Sequence, residues 1–426
     1  MRTIKEQAFL MKQVSPYLAA TELSLRNKAL VSVMEALDAN KNTIFAANNE
    51  DIKNAEEAKL PDSVIKRLKF QDSKLSEVLG GLKGLISLPD PLNNIQLERE
   101  LDDGLKLVRE TCAIGVIGVI FESRPDALVQ IASLCIKSGN AAILKGGSEA
   151  LNTNRALFSV IYKAVVDAGL PENCLFLAEA RSEIAELLEC KESVDLIIPR
   201  GSNAFVQYIM NNTKIPVMGH ADGICHVYVD KDADIDKAVK VVVDSKTQYV
   251  SVCNATETLL VNKKIADSFL KKLEPAFTAK NVTVLGTKEV SNIIGCEPAS
   301  DDDWSTEYLD YKISIKLVSD VDEAIAHINR YGSHHTDAII TENKDTAAEF
   351  MQLVDSAGVY QNCSTRFADG FRYGFGAEVG VSTGKLHARG PVGLEGLVTY
   401  KYKLFGDGHI VADYAEGRRH FKHDLR

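Results

Sequence analysis

The sequence predicts an α/β protein built on a parallel sheet with helices on both faces. From Gly115 onward, short continuous apolar runs alternate with helix-length amphipathic segments, and continuous runs are what strands buried on both faces require. The punctuation between them is glycine and proline, at Gly139, Gly169 and Pro171, where helices end. The 426 residues, 45 % of them hydrophobic, suffice for two or three domains with cores of their own.

The first 100 residues read as amphipathic helix, with apolar residues at helical spacing between Asp62 and Leu79. Pro89 and Pro91 interrupt, and 97–111 resembles a hairpin about Asp103-Gly104. GVIGVIF (115–121) is the first buried strand. Pro125 and Asp126 suit the first turn of a helix whose inward stripe is Leu128, Ile131 and Cys135. AAILKG (141–146) is the next strand, and Ser148 is placed to cap a helix running to about Asp167. CLFLAE (174–179), a helix around 183–189 and VDLIIP (194–199) continue the alternation. A second series begins at ICHVYVD (224–230), with a helix at 234–246 and strands ETLLVN (257–262), AIITEN (338–343) and GVYQNC (358–363). LVTYKYKLF (397–405) alternates as an edge strand or subunit contact does. The expected domains are 1–226, which includes a hairpin at 97–113, 227–390 and 391–426.

Lys plus Arg number 49 against 59 Asp plus Glu, a net charge of −10, which disfavours non-specific nucleic-acid or membrane-surface binding. No apolar run reaches the roughly 20 residues that span a bilayer, and the N-terminus lacks a secretory apolar core. A cytoplasmic protein with no membrane or nucleic-acid partner is expected. The eight cysteines are scattered, without C-x-x-C, and read as free thiols. His334-His335 and His387 lack the i, i+4 spacing of a helical zinc site, so no metal is expected and solvated loop is the default for both.

Ligands of open α/β sheets bind at the carboxyl ends of strands, which directs attention to three turns. They are Glu122-Ser123-Arg124-Pro125, Lys145-Gly146-Gly147-Ser148-Glu149 and Pro199-Arg200-Gly201-Ser202-Asn203. The last two open helices with glycine beside a cation, an arrangement that suits an anion; tight turns needing glycine would explain either alone. Neither G-x-G-x-x-G nor a P-loop motif is present here. Cys253 lies among Thr247, Gln248, Ser251, Asn254 and Thr256. By pattern alone a buried structural thiol stays ahead of a nucleophile.

Seven ordered segments together are similar to the γ-glutamyl phosphate reductase family of the aldehyde dehydrogenase superfamily. They are VIFESRPD (119–126), KGGSEA (145–150), LIIPRGS (196–202), HADGICHVYVD (220–230), VCNATETLLV (252–261), VSDVDEAIAHINRYGSHHTDAI (318–339) and EVGVSTGKLHARGPVGL (378–394). The resemblance spans Ala8 to about Lys403. It implies an aldehyde dehydrogenase-like fold: a Rossmann-type cofactor domain, an α/β catalytic domain and a small oligomerisation hairpin and tail. It also implies reduction of L-glutamyl 5-phosphate by NADPH to glutamate 5-semialdehyde, with release of phosphate, in proline biosynthesis.

Under the same resemblance Cys253 is the nucleophile of a thioester mechanism. Lys145, Ser148, Gly201, Ser202 and Glu378 are expected at NADP(H), and Arg124, Asn254, His335, Asp337 and Arg389 at the substrate. Hydrolytic relatives carry a glutamate that activates water; the corresponding stretch, Met218 to Gly223, has none. That departure suits phosphate, rather than water, as the group exchanged with a thioester. A hydrolytic dehydrogenase acting on a small semialdehyde is the alternative. Coupling to a glutamate 5-kinase and a homo-oligomer, dimer or tetramer, are further implications.

Overall fold

A computed structural model describes every residue except Met1, Ser123, Arg181, Ala221, Ala377 and Arg426, and the side chains of all the rest but Ser63 and Leu425. The chain divides into two compact units. The first comprises the chain to Met218, Phe375–Gly380 and the tail from Val392; the second comprises Gly219–Gly374 and Val381–Pro391. Against the expected boundaries at 226 and 390, the chain leaves the first unit eight residues earlier and returns to it twice. The tail is therefore part of the first unit.

The first unit holds a four-stranded parallel sheet in the order Leu175–Ala178, Ala141–Lys145, Val116–Phe121, Leu196–Arg200. All six residues of Val116–Phe121 are buried, as a central strand covered on both faces demands. The chain moves outward from that strand through 141–145 to 175–178, then reverses to place 196–200 on its other side. This is a topological switch point, where the following helices diverge and leave a crevice at the strands' carboxyl ends. Helix Pro125–Lys137 follows the central strand with proline in its first turn, and Gly139 closes it at φ +68°. Ser148 starts a short 3-10 turn, Ser148–Ala150, and makes no cap bond; helix Leu151–Asp167 follows.

An antiparallel sheet completes this unit. Strands Ile95–Asp102 and Leu105–Ala113 form the hairpin, and Val398–Phe405 pairs along the second of them, Tyr402 opposite Arg109. The 62–79 segment is two helices, Asp62–Leu68 and Asp72–Ser87. Asn48 breaks them apart: its side chain donates to the carbonyl of Leu68 and accepts the amide of Phe70, each at 2.8 Å.

The second unit is built on seven parallel strands. Their order is Glu297–Pro298, Thr283–Gly286, Lys312–Val318, Thr256–Asn262, Cys225–Val229, Thr336–Ile340, Gly358–Gln361. Three adjacent members, Thr256–Asn262, Cys225–Val229 and Thr336–Ile340, are buried throughout. Their amino ends stand side by side, with Cys225 opposite Thr256. Among the described residues no helix is long and apolar enough to cross a membrane.

Candidate active site

In the first unit the three turns singled out above lie at the carboxyl ends of adjacent strands. Glu122 donates its amide to the carbonyl of Arg200 at 3.1 Å, which ties the two arms of the switch point together. Gly201 keeps the turn uncrowded: a Cβ would stand 2.8 Å from the Glu122 carboxyl carbon, the mobile end of its side chain, and 3.0 Å from Phe205. Gly201 and Ser202 are exposed, and Ser202 is the N-cap position of helix Asn203–Asn211. Lys145 is buried and donates to the carbonyl of Gly146 at 2.6 Å. Burial lowers its pKa, while Glu183, Glu149 and Glu179 pull it back up. Ser148 is exposed beside it. Glu378 is half-buried; its neighbour Val379 accepts from Arg200 Nη1 at 2.9 Å and donates to the carbonyl of Val392 at 2.8 Å. Arg124 is exposed at the N-cap of helix Pro125–Lys137. Ser123 lies outside the described residues.

The second unit gathers a different set at the amino ends of its central strands. Cys253, in the turn before strand Thr256–Asn262, has its Sγ 3.2 Å from Nε2 of His335, the residue before strand Thr336–Ile340. His335 is 1 % exposed, not solvated as its loop position suggested. Its Nδ1 faces Thr336 Oγ1 at 2.9 Å. Cys225 donates its thiol to the carbonyl of Cys253 at 3.2 Å and lies 3.8 Å from His335 Nδ1. Burial raises the Cys225 pKa far up, so it stays a neutral thiol. Gly223 packs against the cysteine so tightly that a Cβ would fall 2.2 Å from the Cys253 carbonyl oxygen. His220, from the stretch lacking a glutamate, stacks edge-on against His335 with ring centroids 4.9 Å apart. Ala221 in that stretch lies outside the described residues.

Asn254 is buried, donating to the carbonyl of Ala368 at 2.8 Å, while its Oδ1 has no hydrogen-bond partner among the described residues. Thr365 Oγ1 donates to the Asn254 carbonyl at 2.7 Å. Arg366 is buried beside this turn, its Nε on Gln248 Oε1 at 3.0 Å. Burial and Arg372 depress the Arg366 guanidinium, and the Cys253 sulfur draws it back up. Asp337 points into the sheet interior, bonded to His226 and to Ser356 Oγ. Arg389 pairs with Asp355 at 3.1 Å. His335 and Asn254 therefore share the cysteine's surroundings, whereas Asp337 is held by hydrogen bonds to His226 and Ser356 and Arg389 by its ion pair with Asp355. Arg366, Thr365, Gly223 and Cys225 carry no individual signal in the sequence; Arg366 in CSTRFADG (363–370) reads as ordinary loop.

A switch-point crevice in one unit and a histidine-paired, half-exposed cysteine in the other fit the aldehyde dehydrogenase class, whose family profile (Aldehyde dehydrogenase family) matches residues 16–295. The chain is 58 % identical over 422 residues to a γ-glutamyl phosphate reductase of Acetivibrio thermocellus, covering 99 % of this chain and 98 % of that one. The crystal structure of γ-glutamyl phosphate reductase from Thermotoga maritima superposes with a TM-score of 0.93 at 40 % identity, covering 95 % of this chain and 99 % of that chain. An acetylating aldehyde dehydrogenase from Geobacillus thermoglucosidasius, at 16 % identity, shares the fold with a TM-score of 0.64 over 96 % of this chain and 99 % of that one. The chain belongs to the aldehyde dehydrogenase family and, within it, to the γ-glutamyl phosphate reductases.

Proposed function

We propose that this chain reduces L-glutamyl 5-phosphate to L-glutamate 5-semialdehyde through a thioester on Cys253, releasing phosphate. The observation that carries the reading is the 3.2 Å approach of His335 Nε2 to the Cys253 sulfur, a nucleophile beside a base held by a further group. His335 takes the thiol proton as sulfur attacks the acyl carbon. The carbon–oxygen bond to phosphate breaks, and the acyl group remains on sulfur. Arg366, a buried cation, lies within electrostatic reach of the Cys253 sulfur. Reduction of the thioester gives a thiohemiacetal, which collapses to the aldehyde as sulfur leaves and recovers its proton from His335. The stretch from Met218 to Gly223 lacks the glutamate with which hydrolytic relatives activate water, which favours phosphate over water as the group exchanged with the thioester.

NADP(H) is the proposed cofactor, and when bound it supplies the hydride. The first unit fits such a group: the exposed Gly201 keeps the backbone bare at the start of helix Asn203–Asn211, where a Cβ would crowd Glu122 and Phe205. Gly201 and Ser202 would hold the pyrophosphate at a helix start, Lys145 and Ser148 the adenosine ribose, and Glu378 the nicotinamide ribose. Glu149, Glu179 and Glu183 act on Lys145 and oppose a 2′-phosphate, so that preference rests on Lys145 and Ser148. Arg124 is proposed for phosphate, and Asn254 for the acyl group through its unpaired Oδ1. For the amino-acid end of the substrate, Asp337 and Arg389 would act only by exchanging their present partners.

The reverse reaction tests the assignment. With glutamate 5-semialdehyde, NADP⁺ and phosphate, NADPH formation should require phosphate and vanish in Cys253→Ala. Turnover that persists without phosphate would replace this reading by the hydrolytic one.

A further inference from the structure

His220, Cys253 and His335 come from three separate segments of the second unit, and one ligand atom from each lies within 4.8 Å of the others. His220 Nδ1 lies 3.0 Å from the carbonyl of Val381; a carbonyl only accepts, so Nδ1 carries the proton in that contact. The Cys225 thiol is committed to the carbonyl of Cys253, so its sulfur can only accept from His335 Nδ1 at 3.8 Å. That leaves the His335 Nε2 lone pair directed at Cys253. A histidine whose outer ring nitrogen donates to an oxygen or sulfur while the inner one is basic is the arrangement found in metal-ligating imidazoles. The separation of Cys253 and His335 also fits: zinc–sulfur and zinc–nitrogen bonds of about 2.3 and 2.0 Å at a tetrahedral angle put sulfur and nitrogen roughly 3.5 Å apart, against 3.2 Å here, and a bound ion would draw the third ligand in from within 4.8 Å.

We propose that His220, Cys253 and His335 form a three-ligand site for a thiophilic divalent cation of the zinc class, and that its binding removes the thiol from catalysis. Two imidazoles and a thiolate suit such a cation far better than magnesium or calcium. Cys253 is half-exposed, which supplies an entry path and leaves the fourth position to water. Coordination replaces the sulfur–hydrogen bond of Cys253 by a sulfur–metal bond and releases one proton; no electron is transferred. The inhibitory half of the proposal rests on the function proposed above, whereas the binding half does not.

Cobalt(II) makes the site visible. Titration of the metal-free protein with Co²⁺ should saturate at one equivalent, with a thiolate-to-cobalt charge-transfer band and the visible bands of a four-coordinate ion. Cys253→Ser should lose the charge-transfer band, and His220→Gln should weaken binding tenfold or more. Zn²⁺ should shield the Cys253 peptide of the unmodified protein from alkylation, reversibly on chelation, a readout that needs no variant to fold. At ten times its dissociation constant it should leave about a tenth of the reverse activity, by mass action. A spectrum without the thiolate band, or a titration unchanged in His220→Gln, overturns the site. A bound, band-forming cobalt in a protein with no phosphate-dependent activity would retain the site and overturn the reductase reading instead.

Discussion

A methyl group on residue 223 would stand 2.2 Å from the carbonyl oxygen of Cys253, 2.4 Å from its Cα and 2.5 Å from its Cβ. Those atoms are backbone and the first side-chain carbon, so no rotamer change relieves the collision, and the cysteine turn itself must move. The His335 contact at 3.2 Å has little slack for such movement. A displacement of about 1 Å at a reacting group costs roughly a hundredfold in rate. Gly223→Ala should therefore lower kcat by about a hundredfold while the sheet beneath stays intact, since the strands begin only at Cys225 and Thr256. Steady-state kinetics of the reverse reaction, with far-ultraviolet circular dichroism as the control, checks this; an unchanged kcat would show that the turn tolerates displacement. The sequence marks none of this. Gly223 sits 30 residues from Cys253, and His335 a further 82, so their meeting depends on the strand order that sets Cys225, Thr256 and Thr336 side by side.

At the scale of elements, helix Val321–Tyr331 carries a buried histidine whose neighbours make the second unit acid-sensitive. His327 Nδ1 lies 3.4 Å from Lys316 Nζ, and its ring meets His226, Trp304 and Tyr331 at 5.5, 5.5 and 4.7 Å. Burial first, then His226, Lys316 and Arg330, push its pKa down to about 3. A depressed histidine binds its proton in the unfolded chain before the folded one, so stability is intact above pH 6.5 and falls towards pH 3. At pH 5 the loss from this group is about 2 kcal/mol. His327→Gln should be less stable than the natural protein at pH 7 yet lose about 2 kcal/mol less between pH 7 and pH 5. Trp304, the chain's one tryptophan, packs against this ring and reports the urea transition; equal losses in both proteins would refute the assignment. Elements of this kind were unevenly legible. Val116–Phe121 and Cys225–Val229 stand out because they are uninterrupted apolar runs. Lys312–Val318 hides its strand behind alternating lysines, and the break between Asp62–Leu68 and Asp72–Ser87 is imposed by Asn48 from another helix. The site in the second unit was hidden for a broader reason: it occupies the amino ends of a parallel sheet, whereas turns at carboxyl ends are where open sheets usually bind ligands.

For the whole molecule, the edge of the antiparallel sheet bears on assembly. Among the described residues, Val398–Phe405 pairs with one strand only, Leu105–Ala113, and so forms the edge of its sheet. Tyr400, Tyr402, Leu404 and Phe405 along it are each about half exposed or more. A long edge strand of this composition, presented to water on both faces, is a template for pairing with another chain. Lys401 and Lys403 do not block the edge as isolated charges would, because both pair with Glu110 on the neighbouring strand. The homo-oligomer expected from the sequence therefore has a surface to form on, and strand-to-strand addition is the association mode this edge favours. Sedimentation velocity should give a mass of at least twice the 46.6 kDa of one chain. Lys401→Pro should return it to a monomer, since proline removes an amide and cannot continue a paired strand. Tyr402→Asp, which keeps the backbone able to pair but sets a charge in the apolar row, should weaken association without abolishing it. A monomeric natural protein, or a Lys401→Pro variant of unchanged mass, would exclude this edge as the interface.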